Sequence, residues 1–166
     1  MWTVLGFEKN KKYFEKLLAE GALAHAYLFT GQEMIGKKTF ALELAKLANG
    51  FMGEQINDPD LFFLNREKGW GIDQIRSLKK FLRLRPYSGQ YRIAVIDEAD
   101  SLGEEAANAL LKVLEEPPGS SLILLIAANR RSLLPTIFSR TMEIKFAPHP
   151  RENLLVYLKK MDLTDK

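Results

Sequence analysis

The residues best suited to chemistry fall in two short stretches. In the first, Gly31-Gln32-Glu33-Met34-Ile35-Gly36-Lys37 has the spacing of a phosphate-binding loop. Glycines let a backbone curl so that several amide N–H groups aim at one anion, and a helix starting at the lysine adds the positive end of its dipole. Lys37 would then reach the β- and γ-phosphates of a nucleoside triphosphate. The plain alternative is an ordinary glycine-containing turn, but strand, loop, lysine and helix all fall where phosphate binding requires them. The next position departs from the pattern. A phosphate loop wants Ser or Thr after its lysine as a magnesium ligand, whereas this chain has Lys38, with Thr39 one residue late. One helical step turns a side chain by about 100°, so Thr39 is not expected to aim at the metal without local rearrangement, and Lys38 adds a competing positive charge. Lys38 and Thr39 stay among the candidate nucleotide-site residues.

The second stretch, Arg92-Ile93-Ala94-Val95-Ile96-Asp97-Glu98-Ala99-Asp100, is an apolar strand ending in acids. A carboxylate at the carboxyl end of a parallel strand sits on the side of the sheet where ligands bind, so Asp97 could hold Mg²⁺ directly or through water. Glu98 could orient or deprotonate an attacking water. Acids at strand ends also serve as turn and cap residues, a use that Asp100-Ser101 suits. The two stretches occupy complementary places in an alternating chain, which makes nucleotide chemistry the stronger reading.

Elements at matching positions must carry both stretches. Short apolar runs at Ala26–Thr30, Leu61–Leu64, Arg92–Ile96, Leu122–Ala127 and Thr141–Phe146 suit strands, most of them too uniformly apolar for a half-exposed antiparallel sheet. Between them Phe7–Glu20, Lys37–Asn49, Ile72–Leu84 and Gly103–Glu115 carry apolar residues at helical spacing, and Pro117-Pro118-Gly119 stops the last of these. The pattern predicts an α/β domain with a five-stranded parallel sheet covered on both faces. Gly50–Asp60 reads as a surface loop, and the amphipathic stretch Pro150–Lys160 as the start of a second domain.

Composition narrows the rest. With 166 residues and 46% hydrophobic content there is enough chain for one sizeable core. A net charge of +3 is too weak to identify a nucleic-acid binder. The absence of cysteine excludes disulfides, thiolate zinc sites and cysteine nucleophiles. No run approaches the ~18–20 apolar residues of a membrane span, so no membrane partner is expected and the cytoplasm is the expected location. His25 and His149 lack metal-ligand spacing and are expected to be structural.

Two further stretches are specific. Asn108-Ala109-Leu110-Leu111-Lys112-Val113-Leu114-Glu115-Glu116-Pro117-Pro118 and Leu133-Leu134-Pro135-Thr136-Ile137-Phe138-Ser139-Arg140 resemble the bacterial clamp-loader subunits of the DNA polymerase III holoenzyme. Those are AAA+ proteins. The resemblance also covers Leu23–Phe29, Asp58-Pro59-Asp60-Leu61 and Ile72–Arg76, and among clamp-loader subunits it is greatest to the delta-prime type. It implies a P-loop NTPase fold of the AAA+, RecA-like three-layer kind over residues 1–148, with 149–166 beginning a helical lid. It also implies ATP as nucleotide and a hetero-oligomeric ring of clamp-loader subunits. That ring grips the sliding clamp and delivers it to primer-template DNA.

On this resemblance Ser139-Arg140-Thr141 stands where the family has a Ser-Arg-Cys motif, whose arginine reaches into a neighbour's ATP site. Arg140 is thereby the arginine-finger candidate, with a surface ion pair as the plain alternative. Asn129 falls near the family's sensor-1 position, where a loop cap is the competing role. Many relatives carry a four-cysteine zinc module where this chain has only Gly50–Asp60, so zinc is not expected. Along Ile72–Leu84, Arg76, Lys79, Lys80 and Arg83 line one face, read first as a solvated face and second as a DNA contact. The function expected is a stator subunit in ATP-dependent clamp loading, with weak or absent ATPase of its own. The alternatives are a hydrolysing gamma-type ATPase and a small P-loop kinase, the latter leaving the clamp-loader-like stretches without a purpose.

Overall fold

The computed structural model describes residues 2–50, 58–65 and 71–149. Within them five strands run β1 (Ala26–Thr30), β2 (Leu61–Leu64), β3 (Arg92–Ile96), β4 (Ser121–Ala127) and β5 (Met142–Lys145), all parallel, in the order β2-β3-β4-β1-β5. The helices are α1 (Glu8–Glu20), α2 (Lys37–Ala48), α3 (Ile72–Leu82), α4 (Glu104–Glu115) and α5 (Pro135–Phe138).

Side chains alternate across a strand, so an apolar run must be covered twice. In β1, Ala26 and Leu28 face one layer, with Ile75, Leu78 and Leu82 of α3, Leu110 and Val113 of α4 and Ile137 of α5. Tyr27 and Phe29 face the other, with Phe14 of α1 and Phe40, Ala41 and Leu44 of α2. Burying one such side chain is worth about 1.5–3 kcal/mol, and the three central strands β3, β4 and β1 are buried throughout. The result is the expected three-layer α/β arrangement.

The differences from the sequence reading have local causes. Strand β5 is shorter than Thr141–Phe146 because it lies at the edge of the described sheet, where Met142 and Lys145 are exposed and, among the described residues, only β1 pairs with it. Helix α3 stops at Leu82, the last residue of its buried face. The short helix α5 escapes periodicity because four residues span barely one turn, although Pro135 stands at its start, where a missing N–H does no harm. Of the loop Gly50–Asp60, Asp60 is not a surface residue: it is fully buried. The stretch 150–166, with the expected start of a lid, lies outside the described residues.

Candidate functional site

Strand β1 ends at Thr30 and delivers the chain into the glycine loop. At Gly31 (φ +150°) an added Cβ would lie 2.3 Å from the Phe146 carbonyl oxygen, so no side chain fits there. Gly36, with φ +104°, sits in the left-handed region that opens α2, and Met34 at φ +59° does so without the freedom of glycine. The helical ladder starts with Phe40 N–H donating to the Gly36 carbonyl at 2.9 Å. The amides ahead of it have no helical acceptor and form an anion-ready end. Lys37 is buried, and its Nζ donates to the carbonyls of Gly31 at 2.7 Å and Gln32 at 2.5 Å. Burial lowers the Lys37 pKa below its ordinary value, opposed by the carboxylates of Asp100, Asp97 and Glu33.

Because β4 lies between β1 and β3, the acidic turn after β3 opens on the same end of the sheet as the glycine loop. A cleft of about 530 Å³ there brings together Gly36, Lys37, Lys38, Thr39, Asp97 and Glu98. Asp97 accepts from the Glu98 N–H at 3.0 Å, and its other oxygen lies 3.7 Å from the Lys38 ammonium. That ammonium also sits 4.7 Å from the centroid of the Phe63 ring. Asp100 works mainly as an anchor, accepting from the N–H groups of Ala128 at 3.0 Å and Asn129 at 2.7 Å. It thereby ties the turn after β3 to the end of β4.

The residues suit one half of the chemistry. Loop amides, Lys37 and the α2 dipole fit a phosphate chain. A magnesium ion fits poorly: Thr39 comes one step late, and the Lys38 cation already faces the carboxylate that would hold the metal.

Asn129 and Arg140 stand outside this cluster. Asn129 Oδ1 accepts from the Arg131 N–H at 3.0 Å, capping the turn Arg130–Ser132. Arg140 follows α5 and is held on the surface: Nη1 donates to the Thr136 carbonyl at 3.0 Å and to Ser139 Oγ at 2.9 Å, and Nη2 to Glu115 Oε1 at 2.6 Å. Arg76 of the basic α3 face pairs with Asp73 at 3.0 Å.

Sequence reasoning missed two polar anchors. Asp60 accepts from the N–H groups of Tyr87 at 2.6 Å and of Ser88 and Gly89 at 2.9 Å, and pairs with Arg92 at 3.1 Å, fixing the entry of β3 and hence the height of Asp97. The available signal was an arginine opening an otherwise apolar strand. Glu143 of β5 accepts from Thr30 Oγ1 at 2.8 Å and from Arg130 at 3.0 Å, bracing the residue before the glycine loop.

Sheet order, glycine loop and acidic turn together define a P-loop NTPase domain. Solved structures agree: the chain superposes on a DNA polymerase III gamma subunit-related protein from Thermotoga maritima with a TM-score of 0.72 at 29% identity, over 84% of this chain and 47% of that one. The Thermotoga maritima RuvB R170A variant gives a TM-score of 0.73 at 16% identity, over 98% and 52%, a likeness of fold alone.

Sequence comparison then assigns the chain: it belongs to the family described as DNA polymerase III, delta subunit, which matches residues 6–150. It is 37% identical over 138 residues to DNA polymerase III subunit delta′ of Pseudomonas aeruginosa, covering 72% of this chain and 42% of that protein. It is 30% identical over 158 residues to subunit tau of Bacillus subtilis, covering 86% and 28%. The chain thus spans less than half the length of these relatives. Among the described residues no helix is long and apolar enough to cross a membrane.

Proposed function

We propose that this chain is the nucleotide-fold domain of a clamp-loader subunit that acts as a stator in the cytoplasm. It takes part in ATP-dependent loading of a sliding clamp onto primer-template DNA and donates Arg140 to the ATP site of an adjoining subunit. The observation that carries this over a self-sufficient ATPase is the Lys38–Asp97 contact, which sets a half-exposed cation 3.7 Å from the carboxylate that metal-assisted hydrolysis requires. Lys37, the loop amides and Gly31 and Gly36 retain the means to bind a phosphate chain, and Asn129, whose cap uses only Oδ1, would meet a γ-phosphate through its Nδ2 donors. A hydrolysing gamma-type subunit is the second reading, favoured by the intact loop, by Asp97 and Glu98 in the cleft, and by the tau relative.

Turnover separates the two. Purified chain alone is expected to hydrolyse ATP at below about one turnover per minute, since metal ligand and neighbouring arginine are both lacking. Several turnovers per minute from monomeric protein, abolished by Lys37→Ala, would favour the gamma-type reading. Lys38→Thr removes the competing cation and supplies a hydroxyl. It should tighten ATP binding in the presence of Mg²⁺ by about tenfold relative to binding in chelator, as titration calorimetry would read. Equal affinities under both conditions, with the circular dichroism spectrum unchanged, would remove Lys38 as the cause.

A further inference from the structure

We infer that Glu115 is the positioning residue for Arg140, holding its guanidinium in a fixed orientation so that its remaining donors meet phosphoryl oxygens across a subunit boundary. This rests on the reading of Arg140 as a finger acting in trans. Glu115 is the last residue of α4, where a carboxylate faces the negative end of the helix dipole and is locally unfavourable. Helix stability therefore does not account for an acid there. What accounts for it is the 2.6 Å contact with Arg140 Nη2, between elements 25 residues apart in sequence.

The guanidinium has five N–H donors in one rigid plane. Three are committed: both on Nη1, to the Thr136 carbonyl and Ser139 Oγ, and one on Nη2, to Glu115. The first two acceptors, Thr136 and Ser139, belong to the segment of Arg140 itself, within four residues of it. Among the described residues Glu115 alone ties the group to a separate, packed element, since Leu110, Val113 and Leu114 anchor α4 in the core. Two donors, Nε–H and one on Nη2, keep no acceptor among the described residues, enough to engage phosphoryl oxygens in a forked pair. The Arg140 side chain is 30% exposed and that of Glu115 48%, so an outside acceptor can reach the pair without the fold opening. An ion pair this exposed typically contributes only ~0–1 kcal/mol to stability. Its worth lies in orientation, because a long side chain fixed beforehand loses less freedom when it binds.

The test uses the whole subunit assembled with its neighbours, comparing Glu115→Ala, Glu115→Gln, Arg140→Ala and the double variant Glu115→Ala/Arg140→Ala. Glu115→Ala should lower kcat for ATP at the adjoining site by about tenfold with KM, assembly and melting temperature near wild type, the signature of an interaction made in the transition state. Glu115→Gln keeps an acceptor oxygen and should recover most of that rate. The double variant should be no slower than Arg140→Ala, because residues acting through one group are not additive. If Arg140→Ala is slow but Glu115→Ala is not, the positioning role is wrong and the finger stands. If Glu115→Ala is faster than wild type, the contact restrains Arg140 instead and the inference is overturned. A further loss in the double variant would mean that Glu115 acts elsewhere. A normal rate for Arg140→Ala would remove the finger itself.

Discussion

Arg140→Ala, in the assembled complex, is expected to lower ATP hydrolysis at the adjoining subunit's site by about 10³-fold or more, the range an arginine finger supplies in phosphoryl transfer. Folding of this chain should barely change. The substitution removes an exposed pair with Glu115 and two hydrogen bonds to Thr136 and Ser139 within its own turn, together worth little beyond the ~0–1 kcal/mol of a surface ion pair. The finger therefore predicts a large loss in a neighbour's rate, whereas a plain ion pair predicts no loss there and at most a small shift in melting temperature. Arg140→Lys should rescue poorly, since an ammonium keeps the charge but loses the planar fork. Assembly is measured alongside by size-exclusion chromatography, because Arg140 could also help close the interface. Wild-type rates of ATP turnover and clamp loading from a fully assembled Arg140→Ala complex would refute the assignment.

A loss of about 3–5 kcal/mol of unfolding free energy is expected from Asp60→Ala, the scale on which one partner of a buried, hydrogen-bonded charge pair matters. Asp60 is fully buried, and removing it strands three N–H groups and takes the counter-charge from the nearly buried Arg92 guanidinium, which among the described residues keeps only the carbonyls of Arg85 and Pro59 as acceptors. Burial alone would raise the carboxyl's pKa, but the N–H groups of Ser88, Tyr87 and Gly89 and the charge of Arg92 together hold it below the ordinary 3.8. A carboxylate with a lowered folded pKa contributes its stabilisation in full above the unfolded value and loses it as pH falls through the folded one. The stability gap between wild type and Asp60→Ala should therefore be flat above about pH 5 and shrink below 3.8. Urea denaturation at several pH values measures this. A gap under about 1 kcal/mol at pH 7, or one that widens in acid, would contradict the anchoring role.

Much of the architecture was legible because periodicity and burial coincide. Arg92–Ile96 and Ala26–Thr30 are apolar at every position but one end, Arg92 and Thr30, because helices cover both faces of the sheet, and their observed limits match the sequence reading. Gly31 and Gly36 were legible too, since each answers a backbone requirement that few side chains tolerate. Departures from a motif were equally plain: Lys38 in place of a hydroxyl needs no coordinates to be noticed. The element most easily overlooked was α5, too short to build a period, although it carries the chain to Arg140.

By itself the sequence determined the α/β class, the two stretches that converge on the cleft and the departure from the phosphate-loop pattern at Lys38, because these depend on local pattern and on residue type. Only the tertiary structure decided where long-range polar partners meet. Asp60 reaches the turn 27 to 29 residues later, Glu143 braces Thr30 from 113 residues away, and Lys38 turns its charge on Asp97. No periodicity encodes such pairings, since each depends on how strands stack side by side, and a hydrogen bond forms only when donor and acceptor lie within about 3 Å. The same reason separates Arg140 from the cleft. Sequence put an arginine in a motif, and the packing of α4 against α5 put Glu115 beside it.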